Sequence, residues 1–79
     1  MAKSLTATFG TTVVEIRINQ EVHVDHLHPT NVHPFVATAF IGAAQLIENG
    51  SPVEHVASKE EQAEALMLRD LETRYGPKV

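Results

Sequence analysis

Between Leu5 and Ile18 the chain alternates apolar and polar residues twice over, and no other feature restricts its fold as much. In Leu5-Thr6-Ala7-Thr8-Phe9 every second side chain is apolar, and Val14, Ile16 and Ile18 repeat the pattern against Val13, Glu15 and Arg17. A period of two marks a strand with one face buried and the other wet. Gly10-Thr11-Thr12 between the two runs is the expected turn. After Asn19-Gln20-Glu21, Val22 and Val24 resume the alternation and predict a third strand. A two-residue loop there would turn Glu21, His23 and Asp25 onto the apolar face. A three-residue loop pairs Ile18 with Val22 and Ile16 with Val24, and is the expected register. It sets Arg17 opposite His23 and diagonal to Asp25 on the outer face. The strand must end at His28-Pro29.

Phe35 to Asn49 reads as a helix. Phe35, Val36, Ala39, Phe40, Ala43, Leu46 and Ile47 form a broad apolar arc, Thr38, Gln45 and Glu48 a narrow polar stripe, and Asn49-Gly50 a left-handed stop. Pro34 suits its first turn, with Thr30, Asn31 or His33 as the cap. A second helix is expected from Lys59 to Tyr75. Ser58-Lys59-Glu60-Glu61 has capping-box spacing, Ala63, Leu66, Met67, Leu71 and Tyr75 give an apolar side, and Gly76-Pro77 ends it. Residues 52–57 fit either a short strand or a helical turn. The expected fold is α+β in a single domain over residues 1–79: a small N-terminal antiparallel β-meander of about three strands followed by two helices, with room for a short extra strand between them.

A chain of this size buries only about 60% of its unfolded surface. Its aromatic residues are Phe9, Phe35, Phe40 and Tyr75, and it has no tryptophan. It also has no cysteine, so a disulfide cannot reinforce the core, which leaves a metal or a second subunit. The apolar arc of residues 35–47 is wider than one sheet contact requires, and Gly42-Ala43-Ala44 allows close approach. Either this helix is central, sandwiched between the sheet and the last helix, or Phe35, Ala39, Phe40, Ala43, Leu46 and Ile47 form the interface of a homo-oligomer.

Net charge is −4 and the basic residues are scattered singly, so nothing offers the clustered cations that nucleic acid requires. The most apolar stretch, Phe35 to Ile47, is too short to span a bilayer, and Met1 to Thr8 lacks a signal-peptide core. Absence of cysteine suits a reducing compartment, so the expectation is a soluble cytoplasmic protein without a membrane or nucleic-acid partner.

His23, His26, His28 and His33 cluster around Asp25. On an extended strand His26 and His28 share a face at about 7 Å, a spacing from which two imidazoles can chelate a divalent transition metal, with His33 as a third ligand. No fixed zinc spacing is present, and histidines beside prolines and helix starts ordinarily hydrogen-bond backbone; that plain role is preferred over a metal. On the other face Arg17, His23 and Asp25 form a candidate ligand, anion or pH-responsive site. Serines 4, 51 and 58 lie in expected caps and turns, and His55 beside Glu54 reads as a solvated pair, so catalytic material is thin. The leading expectation is a non-enzymatic interaction module, a homo-oligomer or subunit of a larger assembly with a protein or small-molecule partner. A metal- or anion-binding domain comes second, and a small oligomeric enzyme with a histidine base at its interface third.

Overall fold

The alternating N-terminal runs form a hairpin. In the computed structural model, which describes residues 2–20 and 34–79, β1 (Ala2–Phe9) and β2 (Thr12–Gln20) pair antiparallel without a bulge from Ala2↔Asn19 to Phe9↔Thr12. The two-residue loop Gly10-Thr11 joins them, with Gly10 at φ +61°, a value that favours glycine at the first position of such a turn. Leu5, Ala7, Phe9, Val14, Ile16 and Ile18 all fall on one face. Phe9, Val14, Ile16 and Ile18 are essentially inaccessible, and full burial of side chains of this kind contributes about 1.5–3 kcal/mol each.

β3 (Phe35–Ile41) lies on the other side of β2, with Ile16 opposite Ala39 and Ile18 opposite Ala37. The expected helix over residues 35–49 is therefore absent. Its first part is this strand, and its remainder is two short turns of chain. Gly42-Ala43 folds back into β4 (Ala44–Gln45), which pairs the end of β3. β5 (Ile47–Glu48) and β6 (Ser51–Pro52) make a separate small hairpin around Asn49-Gly50. Asn49 and Gly50 both have positive φ, +53° and +78°. That is the two-residue hairpin signature rather than a helix stop. β7 (Glu54–Ala57) then returns to the start of β3, with Ala37 opposite His55 and Val36 opposite Val56.

The sheet order is thus β1-β2-β3, with β4 and β7 as two collinear pieces of a broken fourth strand. Hydrogen bonds from Leu46 N to Ala39 O and from Val53 N to Leu46 O pin the base of the excursion between them. Ile16 lies between Leu5 and Ala39, and Ile18 between Lys3 and Ala37, so both edges of β2 are taken by β1 and β3 rather than by the expected third strand. Residues 22–28 themselves lie outside the described residues.

Among the described residues there is one helix, α1 (Glu60–Tyr75). Helix-favouring residues fill it, Glu60 and Glu61 stand at its positive end and Arg74 at its negative end. The N-cap is Lys59, which makes no side-chain cap; Ser58 reaches Gln62 instead. Ala63, Met67 and Leu71, four residues apart, are fully buried against the sheet, chiefly over β3, β7 and β2. Ala37 and Ala39 beneath are also fully buried, and small side chains at this crossing let helix and sheet approach closely. Among the described residues the architecture is therefore a five-stranded antiparallel sheet with the C-terminal helix on one face, and a separate two-stranded hairpin.

After the helix the chain runs back along β1. Gly10 N donates to Pro77 O, Val79 N donates to Thr8 O, and Lys78 sits opposite Phe9. No helix among the described residues is long and apolar enough to cross a membrane.

Candidate functional site

The expected sites fare differently. His23, Asp25, His26, His28 and His33 lie outside the described residues, so neither the metal corner nor the Arg17–His23–Asp25 cluster can be placed. Arg17 itself is on the helix-free face of the sheet. Its guanidinium carbon lies 4.1 Å from the centre of the Phe40 ring, and one nitrogen is 3.0 Å from Glu15 Oε1. The expected apolar interface is dispersed. Phe35 and Ala39 point toward the helix, Phe40 points away from it, Ala43 is in a turn, Leu46 packs against the core edge, and Ile47 is exposed on the small hairpin.

The structure instead assembles polar residues that the sequence keeps apart. His55 on β7 faces the helix, where its Nε2 is 2.7 Å from Asp70 Oδ2. Arg74, one turn further, donates from Nε to Asp70 Oδ1 at 2.7 Å and from its terminal nitrogen to Glu48 on the β5–β6 hairpin. These groups line a cleft of about 260 Å³ with Ser51, Pro52, Val53 and Glu54. Burial pushes the Asp70 carboxyl up, but hydrogen bonds from His55 and Arg74 more than offset this and hold it below the usual carboxylate range. The bonds to Glu48 and then Asp70 raise Arg74 above its ordinary value.

A histidine backed by a carboxylate is one component of a general base. Here, however, Arg74 occupies the second Asp70 oxygen, so the carboxylate is shared between His55 and Arg74. No hydrogen bond joins His55 to Ser51 among the described residues. Both oxygens of Asp70 and two nitrogens of Arg74 are engaged within the chain. The network acts as a brace tying helix, edge strand and hairpin together. No set of three or more potential metal ligands converges among the described residues.

The second feature is the free edge of β1. The turn at Gly10-Thr11 makes Phe9↔Thr12 a hydrogen-bonded pair, so Lys3, Leu5, Ala7 and Phe9 turn their main-chain groups toward β2. Ser4, Thr6 and Thr8 turn theirs outward, as the bond from Val79 N to Thr8 O confirms. The C-terminal tail covers the edge from Thr8 onward; nothing described pairs with Ser4 or Thr6. The strand carries no proline and no bulge. Its one charged side chain, Lys3, is held by Glu64 at 2.8 Å and Glu60 at 3.5 Å on the helix.

The opposite edge is built otherwise. β4 and β7 are two and four residues long, separated by the excursion, with Pro52 and Glu54 beside the break. Short, interrupted and charged strands are among the ways sheets close an edge to further pairing.

Comparisons with protein-family models, with characterised proteins and with solved structures gave no match.

Proposed function

We propose that this chain is a non-enzymatic interaction module that binds by strand addition, taking an extended segment of a protein partner along the β1 edge. The observation that carries this reading is the contrast between the two edges: one is short and interrupted, while the other is straight, has its single charge paired, and is open over residues 3–7 among the described residues. Main-chain groups of Ser4 and Thr6 supply the affinity, and the alternating side chains of β1 supply register. Self-association through an apolar helix over residues 35–47 has no helix to act through, since Phe35–Ile41 is a strand. Absence of cysteine supports work in a reducing compartment, the cytoplasm.

Panning a library of short random peptides against the protein alone, and then measuring each selected peptide against Thr6→Pro, tests the reading. The Thr6 amide points away from β2, so proline there removes no bond within the chain. Selected peptides are expected to protect the Ser4 and Thr6 amides from hydrogen exchange and to lose binding to the variant. Peptides that bind folded Thr6→Pro as well as the parent overturn strand addition.

A further inference from the structure

We infer that the partner on the β1 edge is a second copy of this chain, joined antiparallel about a two-fold axis through Leu5; this rests on the strand-addition reading. The register follows from what the edge leaves available. Outward main-chain groups belong to Ser4 and Thr6, and the tail blocks further pairing from Thr8 onward. Centring the ladder on Thr6 would set Ser4 against Thr8 and run the second copy into the tail. Centring it on Leu5 fits residues 3–7 of each copy between the tails. Ser4 of each copy then exchanges both main-chain bonds with Thr6 of the other.

The side chains favour the same arrangement. On the outer face each Ser4 hydroxyl lies opposite a Thr6 hydroxyl, a favourable cross-strand pair. On the helix face Leu5, now only partly buried against the core, meets Leu5 of the second copy, while Lys3 faces Ala7. No like charges oppose each other. Centring on Ser4 is clear of the tails as well, but it sets Lys3 against Leu5 and leaves the two leucines apart. A ladder this short buries less than the roughly 1,200 Å² of a standard interface, so the dimer is expected to be concentration-dependent.

The absence of cysteine makes the test clean. In the Leu5-centred register the two Leu5 Cα atoms form a non-hydrogen-bonded pair about 4.5 Å apart, within reach of a disulfide. Leu5→Cys should therefore cross-link to a covalent dimer under mild oxidation, whereas Ser4→Cys, offset from its twin by two residues, should not. Sedimentation equilibrium should show the parent associating and Thr6→Pro weakened about 30-fold, since half of the ladder bonds are lost. If proline disturbs the fold, a charge pair replaces it. Ser4→Glu with Thr6→Glu sets like charges across the axis and should dissociate the dimer. Ser4→Glu with Thr6→Lys should restore it, and both residues also suit their own neighbours Arg17 and Glu15.

Cross-linking of Ser4→Cys in place of Leu5→Cys overturns the register. A parent chain that stays monomeric up to about 1 mM overturns the second copy. Peptides that still lose binding to Thr6→Pro would in that case leave strand addition standing; peptides indifferent to it would remove both.

Discussion

Replacing Gly10 by alanine probes the closure of the fold, and the structure supplies its own control. Gly10 and Gly42 open two-residue turns at nearly the same φ, +61° and +64°. An added Cβ at Gly42 meets nothing within 4 Å, whereas at Gly10 it would lie 2.7 Å from the main-chain oxygen of Tyr75. Both substitutions carry the left-handed penalty of about 1–2 kcal/mol, and both gain the same small benefit from a stiffer unfolded chain. Only Gly10→Ala must also push the helix end away. That movement breaks the bonds from Gly10 N to Pro77 O and from Val79 N to Thr8 O, at about 1 kcal/mol each. Gly10→Ala should therefore cost about 2 kcal/mol more than Gly42→Ala. A chain of 79 residues has roughly 4–12 kcal/mol of stability in all, so the difference is large. Urea unfolding followed by far-ultraviolet circular dichroism reads it directly. With a slope near 1 kcal/mol per molar for so small a chain, the midpoints should differ by about 2 M. Coincident midpoints would refute the packing of the helix end on the hairpin turn.

Met67→Ala should destabilise by about 2–5 kcal/mol, because Met67 is wholly buried between helix and sheet and the surrounding backbone cannot collapse into the gap; chemical denaturation measures it. Asp70 is held below its unfolded value, near 3.9. Its contribution is thus fully present above that pH and disappears as pH falls through the folded value. Asp70→Asn should flatten the acid limb of the stability–pH curve below about pH 4, and an unchanged limb would show that the brace carries none of it. Arg17→Ala should change stability by no more than about 1 kcal/mol, since its ion pair and ring contact are on the open face.

The first two strands, their inner face and the C-terminal helix were legible because each has a single period set by a single face. Leu5 to Phe9 and Val14 to Ile18 meet water on one side only, and Ala63, Met67 and Leu71 repeat at helical spacing. Residues 35–47 misled because the period was hidden. β3 places alanines at 37 and 39 inward, where the helix needs space, and apolar Val36 and Phe40 outward. Apolar residues on both faces look like the wide arc of a helix. The β-branched and aromatic content of Phe35 to Ile41 and the glycine at position 42 were the signals for a strand and a turn. The brace was half legible: Asp70 and Arg74 stand at i,i+4 in the sequence, but His55 joins them only once residues 54–57 are known to be a strand. The open edge was not legible, because the position of β1 at the edge and the pairing of Lys3 with Glu60 and Glu64 follow only from the fold.

The excursion between β4 and β7 also sets how far assembly can proceed. With one edge broken, each copy would offer a single valence for sheet growth, so the proposed pairing through β1 would be isologous and stop at two. Were residues 46–53 replaced by a continuous strand, both edges would accept a neighbour, and the same main-chain bonding would propagate without limit toward a fibre. The small hairpin, held to the helix by Glu48 and Arg74, would in such an assembly be a chain terminator, separating a finite complex from a polymer.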